Sequence, residues 1–373
     1  MRTKQALTTW VSRWVAAAAV LVGMMAPGAV QAQAIIKVND DVNVKFGLLL
    51  QGWADWNQDT LSSGYAENLF LRRARFIMGG QVAKNVTFFF ETDNPNLGKV
   101  PKALGTGFIV QDAYLEWKIA DAFALDGGLI LIPMSRNGLQ SAASQLSIDY
   151  GTFTFLNSAP TQSSVGRDTG FQAKGYLVDK HLEYRIGAFQ GFRNPAVAGL
   201  DGGSRNSFRS AGRLQYNFLD TEVGPFYTGT YLGKKKILSI GAGYDTQSYY
   251  NAYSGDLFFD LPVGTAGGVT GQFDWVHWDG EKTFTALAQQ SDWFGELGFF
   301  LAGAKTQPYV KYEKQSFALS DSTKGQKRFQ VGFNYYVSGQ NLKVTGAFTK
   351  IMPNNPATSS TNEFTVQLQL FYF

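Results

Sequence analysis

The chain has 373 residues, of which 15% are aromatic, 17% are charged and none is cysteine. So much aromatic surface has to be buried, which excludes a disordered protein, and the lack of cysteine excludes a disulfide scaffold and any site built on thiols. Hydrophobic residues make up 45% of the chain, but mean hydropathy is −0.14 and no apolar run approaches the ~20 residues of a membrane-spanning helix.

The first 34 residues have the pattern of a secretory signal peptide. Three basic residues come before or at the edge of a short apolar segment at 14–25, and small residues follow it. Cleavage is predicted near Ala32 or Ala34, and the apolar segment is too short for the alternative, a membrane anchor. The chain has 33 basic and 29 acidic residues, so losing these three leaves it nearly neutral and nucleic acid is not an expected partner.

From Ile35 onward, apolar and polar residues alternate with a period of two, which is the pattern of strands with one apolar face. Many of the segments reach the ~9–11 residues that a tilted strand needs to cross a bilayer. The predicted strands lie near 42–56, 67–82, 86–95, 109–119, 123–133, 167–178, 182–192, 207–218, 237–249, 253–263, 268–278, 290–300, 306–317, 326–337, 342–350 and 362–373. Sixteen is an even number, as closed bacterial barrels require.

The connections between these strands alternate in length. Short turns are predicted at 83–85, 120–122, 179–181, 264–267 and 338–341, and longer polar loops at 57–66, 193–206, 279–289 and 351–361. The sequence therefore predicts an all-β fold at 35–373, a transmembrane antiparallel barrel of about sixteen strands with short periplasmic turns and long outer loops. A secreted β-sandwich is the alternative for such alternation. The connection from Leu219 to Lys236 is too long for a turn on its side, and part of Phe226–Tyr231 could extend a neighbouring strand.

Aromatic residues supply two further expectations. Tryptophans near strand ends are expected in interfacial girdles, or for some of them at a subunit contact. They are Trp53, Trp56, Trp117, Trp275, Trp278 and Trp293. The chain ends in Phe373, and a terminal aromatic residue is a familiar signal to the outer-membrane barrel assembly machinery. Phe371 and Phe373 fall on the polar parity of the last strand, and a register slip near its end would reconcile this.

Six stretches of the sequence match a known family in their order and spacing. They are LRRARF at 71–76, DAYLEW at 112–117, GRDTGFQ at 166–172, YRIGAFQGF at 184–192, YLGKKKILSIGAGYD at 231–245 and RFQVGFNYYV at 328–337. They resemble the phosphate-selective porin O and P family of bacterial outer-membrane porins. The resemblance implies a sixteen-stranded, usually trimeric porin of the Gram-negative outer membrane, surrounded by lipid, with an inward-folded third loop. It does not by itself imply phosphate selectivity.

The longest connection between predicted strands, residues 134–165, occupies the position of that third loop. A long segment without strand pattern inside a compact fold usually has a function. Under the resemblance it folds into the lumen and is the expected constriction loop. Its charged residues are Arg136 and Asp149.

Charged residues on the inward parity are the candidate pore lining. Rings of basic side chains select anions and acidic rings select cations. The candidates from the wall and the third loop are Arg73, Arg75, Asp112, Glu116, Arg136, Asp149, Arg167, Lys174 and Arg328. Their mixed signs predict a passive channel for small polar or ionic solutes with at most weak anion preference. A phosphate- or polyphosphate-selective porin is the alternative, with Arg73 and Arg75 as its best basic cluster. The structural interpretation is that these side chains pair across the barrel wall and hold its shape.

Enzymatic chemistry has little support in the sequence. The two histidines, His181 and His277, belong to no metal-ligand spacing, and no nucleophile elbow or phosphate-binding loop is present. We therefore expect no catalytic residue, no metal and no cofactor. An outer-membrane esterase or lipase is the remote alternative, because a serine and a histidine can meet in space without a sequence motif.

Overall fold

A computed structural model describes residues 34–59, 64–99, 107–155, 158–193 and 207–373, together with Lys102 and Leu104. The predicted signal peptide, apart from Ala34, lies outside the described residues. None of the helices in the described residues is long and apolar enough to cross a membrane.

The described residues form one seventeen-stranded sheet. Its strands are β1 Ala34–Lys37, β2 Asn43–Gln58, β3 Tyr65–Ala83, β4 Val86–Asp93, β5 Ile109–Ala120, β6 Phe123–Leu131, β7 Arg167–Leu177, β8 Leu182–Phe189, β9 Arg209–Asn217, β10 Ile237–Gln247, β11 Tyr250–Val263, β12 Gly267–Asp279, β13 Gln290–Leu301, β14 Thr306–Phe317, β15 Gln326–Ser338, β16 Leu342–Pro353 and β17 Thr361–Tyr372. The helices are short: α1 Arg136–Leu139, α2 Ser158–Thr161 and a 3₁₀ helix at Leu319–Lys324.

Strands β2 to β17 form a closed transmembrane barrel, as the sequence predicts. Each strand pairs antiparallel with the next one along the chain, and β17 pairs with β2, so the barrel has no free edge. All sixteen predicted segments correspond to strands. The short β1, which pairs with β2 and β10, is an addition that the alternation did not predict.

The two ends of the barrel differ in their connections. At one end, here the turn end, all connections except 218–236 are short, and they include the five predicted turns. At the other, the loop end, connections are longer, except that only Ser248 and Tyr249 join β10 to β11. That two-residue connection breaks the predicted alternation of lengths.

The alternation places apolar side chains outside and polar ones inside. In β5, Leu115, Trp117 and Ile119 are exposed on the outer face, whereas Asp112 is buried inside. In β17, Phe364 and Leu368 are exposed, and Gln367 and Gln369 are buried. In the closed barrel, the backbone N–H and C=O groups of each strand bond to those of its neighbours. The apolar outer face can therefore lie in hydrocarbon.

Two of the six tryptophans contradict the predicted girdle. Trp53 and Trp278 point into the barrel, where the indole nitrogen of Trp53 donates to Gln367 Oε1 at 2.7 Å and that of Trp278 to Phe153 O at 3.2 Å. Trp117 and Trp275 are exposed on the outer face, as the prediction requires.

The register slip that would have reconciled the parity of the C-terminal residues is absent from the pairing of β17 with β2. β17 pairs with β2 without interruption as far as Tyr372 opposite Leu48. Phe371 and Phe373 therefore keep the inward parity and pack inside the barrel. Two glycines on the neighbouring strands leave room, since a Cβ on Gly47 or Gly79 would lie 2.7 Å from the Phe373 ring.

We expect Gly47→Ala to destabilise the barrel. Its new methyl would lie 2.6 Å from the backbone oxygen of Tyr372, so the closing pair of strands has to shift. Overpacking of this kind costs about 1–3 kcal/mol. The measurement is the denaturant midpoint of the folded protein in detergent. Gly255→Ala is the control, because no atom lies within 4 Å of a Cβ built at Gly255. Equal midpoints for the two variants would contradict the packing argument.

Candidate functional site

Residues 134–165 are here called the inner loop, and their described parts, 134–155 and 158–165, run inside the barrel between β6 and β7. Ser135 caps α1, its hydroxyl accepting from the backbone nitrogen of Gly138 at 3.1 Å. Beyond α1 the loop has little regular structure, so its buried carbonyls need partners from elsewhere. Side chains of the wall supply them.

Three wall residues show how the inner loop is held. Lys343 Nζ donates to Gln145 O at 3.1 Å, Asn334 to Leu146 O at 2.7 Å and Gln369 to Ala143 O at 2.8 Å. These side chains come from β16, β15 and β17. The loop therefore crosses the lumen and reaches the wall opposite its own strands.

Arg136 lies at the start of the inner loop and is fully buried. Its guanidinium donates to both carboxylate oxygens of Glu222, at 2.7 and 2.8 Å, and to Thr228 O at 2.9 Å. It also lies 3.6 Å from the ring centroid of Phe258. Arg136 thus joins two inward segments and borders neither of the two cavities described below.

The second inward segment, here called the inner connection, is residues 219–236 of the long connection at the turn end. Tyr227 forms a parallel bridge with Gln140, in which the Ser141 nitrogen donates to Tyr227 O and the Tyr227 nitrogen to Leu139 O, both at 2.9 Å. The proposal that Phe226–Tyr231 extends a wall strand is therefore wrong. The segment is long because it enters the lumen and pairs with the inner loop.

Most inward charges are paired along the wall. Arg75 contacts Glu91 at 2.8 Å and Asp93 at 2.9 Å, and Asp93 stands directly opposite Arg75 in the register. The other pairs are Arg167 with Asp112, Lys174 with Glu116 and Asp126, Arg209 with Asp245, and Arg213 with Asp256. Pairing is expected because an isolated buried charge is costly. Arg75, Asp112, Glu116, Arg167 and Lys174 thus have the wall partners that the structural interpretation predicts.

Four predicted residues line one cavity near the loop end, the loop-end cavity, of about 630 Å³. They are Arg73, Arg75, Asp149 and Arg328. Its charged lining consists of six basic and four acidic side chains: Arg72, Arg73, Arg75, Lys99, Lys311, Arg328, Asp93, Asp149, Glu313 and Glu363. Basic side chains are therefore in excess at the cavity surface, while Glu91 and Asp55 pair with Arg75 and Lys99 from behind the lining.

Arg72 is a lining residue that the alternation missed. The register of β2 and β3 jumps from Gln51 opposite Arg73 to Gly52 opposite Leu71, so Arg72 is the extra residue of a β-bulge. A bulge can re-aim a side chain, and here both Arg72 and Arg73 reach the carboxylate of Asp149, at 2.9 and 2.7 Å. The sequence did contain a signal. Strict alternation would turn Arg72 toward lipid, where a charge costs about 2–4 kcal/mol at mid-membrane.

Asp149 keeps its charge in this position. Burial alone raises the pKa of its carboxyl group, but the guanidinium groups of Arg72 and Arg73 and the backbone nitrogen of Tyr150 outweigh burial and hold the pKa well below its usual 3.8. The carboxylate is therefore ionised above that value, and the group of two arginines and one aspartate carries one net positive charge.

A second cavity, of about 420 Å³, lies near the turn end and is here the turn-end cavity. Its lining includes Lys45, Phe89, Tyr114, Glu116 and Phe373, and it shares no lining residue with the loop-end cavity. Of the predicted candidates, Glu116 borders it. Asp112 and Lys174 border a gap of only about 20 Å³ beside it.

An apolar layer separates the two cavities. It consists of Leu49, Ile77, Phe89, Phe371 and Phe373 from the wall with Ala142, Ala143 and Tyr150 from the inner loop. Tyr150 faces the loop-end cavity, and Phe89 and Phe373 face the turn-end cavity. Phe89 packs edge-on against Phe373 at 5.7 Å and against Phe226 of the inner connection at 5.5 Å. The two cavities are thus separated by apolar side chains.

The structure places one histidine beside a serine. His277 Nδ1 lies 2.8 Å from Ser291 Oγ. Both residues are on the outer parity of their strands, away from the lumen. In the described part of the chain, the ring has no hydrogen bond to a carboxylate that would orient it as in a catalytic triad.

No protein-family model matches this sequence. No curated protein matches it either. Solved structures do match its fold. An anion-selective porin from Comamonas acidovorans is 13% identical with a TM-score of 0.60, covering 88% of this chain and 99% of its own. OprB of Pseudomonas putida is 9% identical with a TM-score of 0.62, covering 88% and 94%. The channel DcaP of Acinetobacter baumannii is 11% identical with a TM-score of 0.57, covering 90% and 99%. The chain has the fold of outer-membrane porins.

Proposed function

We propose that the protein is a porin of the bacterial outer membrane that lets small polar or ionic solutes diffuse passively, with a weak preference for anions. The observation that carries the proposal is the loop-end cavity inside a closed barrel of porin fold, with six basic and four acidic side chains in its lining. An excess of basic groups around a pore lowers the electrostatic barrier to anions. The same proposal has four further parts. The protein is exported as a precursor with a signal peptide, is inserted in outer-membrane lipid by the barrel assembly machinery through its C-terminal strand, and forms a homotrimer.

We propose a weak preference for anions, and not selectivity for phosphate, because most basic side chains in the lumen are paired with carboxylates. The resemblance to the phosphate-selective porin O and P family supports relationship with that family and favours the alternative of a phosphate or polyphosphate channel. A phosphate ladder needs successive basic groups with few acids nearby. Arg75 instead lies between Glu91 and Asp93, and Lys311 contacts Glu313 at 3.1 Å. A catalytic role is not part of the proposal, since the one serine–histidine pair described lacks an orienting carboxylate.

Reversal potentials in planar bilayers test the proposal. We expect ion-conducting channels with a small preference for chloride over potassium, and a larger preference in Asp149→Asn. This change removes one negative charge beside Arg72 and Arg73 while keeping the side chain's shape. Because the pKa of Asp149 is lowered, its carboxylate stays charged at pH 5, so the difference between wild type and variant should be the same at pH 7 and pH 5.

Glu281→Gln is the matched control, since it removes one negative charge from an exposed position in the connection 280–289. It should leave the reversal potential unchanged. Absence of channels where a reference porin conducts would refute the proposed function. A shift toward cations in Asp149→Asn would refute the assignment of anion preference to this cavity.

A further inference from the structure

The charges of the loop-end cavity are unevenly matched. Arg75 has two carboxylate partners, and Arg328 contacts Glu363 at 3.2 Å. Lys311 is paired with Glu313, and Lys99 lies 3.4 Å from the Asp55 carboxylate. Each of these four cations thus has an acid of its own.

Arg72 and Arg73 differ, because they share the single carboxylate of Asp149. Among the described residues, neither arginine has a second carboxylate within salt-bridge distance, so the pair exceeds its direct carboxylate partner by one positive charge. It lies at the cavity surface, where the side chain of Arg72 is 24% exposed. An anion that enters the cavity is therefore attracted to this point.

Aromatic and aliphatic side chains surround this charge. The Arg72 guanidinium lies 5.6 Å from the ring centroid of Trp53, and that of Arg73 lies 5.3 Å from that of Tyr150. Tyr150 packs on Phe155 at 4.7 Å. Ile148 also lines the cavity.

This combination discriminates between kinds of anion. Phosphate exposes oxygens in every direction, so its tight binding needs polar donors all around it. A carboxylate has two oxygens on one side, which match the fork of a guanidinium, and the rest of the molecule gains free energy from contact with apolar surface. A cavity of about 630 Å³ is in the size range of pockets for small organic molecules.

We propose that Arg72 and Arg73, with Trp53, Tyr150 and Phe155, form a binding site for a monovalent organic carboxylate with an apolar body the size of a ring. The inference rests on the proposed function and deepens it by naming a class of solute. The carboxylate would pair with the Arg72 guanidinium, and the ring would lie against the aromatic side chains.

Blockade of chloride current by benzoate, acetate and phosphate tests the site in planar bilayers. In the wild type, we expect benzoate to block at lower concentration than either of the other anions. Arg72→Gln should raise the half-blocking benzoate concentration about tenfold, which is the usual effect of losing a hydrogen bond to a charged group. Trp53→Leu should weaken the block by benzoate and leave that by acetate unchanged. Lys282→Gln, which removes a positive charge from an exposed position in the connection 280–289, should change neither.

Equilibrium dialysis of labelled benzoate against the detergent-solubilised protein separates this inference from the proposed function. Binding that is weakened by Arg72→Gln and Trp53→Leu supports the site even if no current is recorded, and the missing current then refutes only the proposed function. A conducting wild type on which benzoate acts no better than acetate, or on which phosphate blocks at lower concentration, overturns the site. The same holds if Lys282→Gln weakens the block as much as Arg72→Gln.

Discussion

Replacing Arg136 with methionine is expected to destabilise the protein by about 3–5 kcal/mol and to raise its single-channel conductance several-fold. The guanidinium of Arg136 makes two hydrogen bonds to Glu222 in a fully buried position. Removing one partner leaves an unpaired buried charge on the other, and that is the source of the cost. The same pair joins the inner loop to the inner connection, so its loss should free both segments from the lumen.

The double variant Arg136→Met/Glu222→Gln separates charge from packing. Without either charge, the desolvation cost disappears, and most of the lost stability should return. Lys324→Met is the control, because the exposed Lys324 pairs with the half-buried Asp321 at the surface, and loss of such a pair should change stability by at most about 1 kcal/mol.

Denaturant unfolding and conductance should be measured on the same preparations. A single variant as stable as the wild type would show that the pair does not hold the two segments. Lost stability with unchanged conductance would show that the segments stay in the lumen without it.

The strands could be predicted from the sequence because a barrel wall is a local pattern repeated many times. Alternation depends only on which neighbour along the chain is apolar, and closure of the barrel requires an even number of such segments. The bulge at Arg72 breaks this rule because it depends on the partner strand. The inner positions of Trp53 and Trp278 were not predicted, because the girdle expectation used only their nearness to strand ends. An indole at that level can lie on either face of the wall.

The candidate site was harder to predict because it depends on contacts distant in sequence. Glu222 follows Arg136 by 86 residues, and no spacing rule joins two segments that enter a lumen from opposite ends. The parity of Phe371 and Phe373 did contain a signal. Two phenylalanines on a polar face indicate an apolar interior at that level, which is the apolar layer.

The apolar layer should limit the conductance of the channel, since an apolar constriction excludes ions by excluding water. We expect the combined variant Phe89→Ala/Phe226→Ala to raise single-channel conductance several-fold. Both rings lie at the turn-end side of the layer, Phe89 on β4 and Phe226 on the inner connection, with centroids 5.5 Å apart. Removing them widens the section between the two cavities and lets water wet it.

Phe171→Ala is the matched control, because Phe171 is a wall phenylalanine that is 75% exposed on the lipid-facing side. Its loss should leave conductance unchanged. The selectivity of the Phe89→Ala/Phe226→Ala variant should also stay weakly anionic, because the basic residues of the loop-end cavity are intact and the apolar layer contributes no charge. If conductance stays at the wild-type level, the narrowest section lies elsewhere in the lumen. If conductance rises and the preference turns to cations, then the layer, and not Arg72 and Arg73, sets the selectivity.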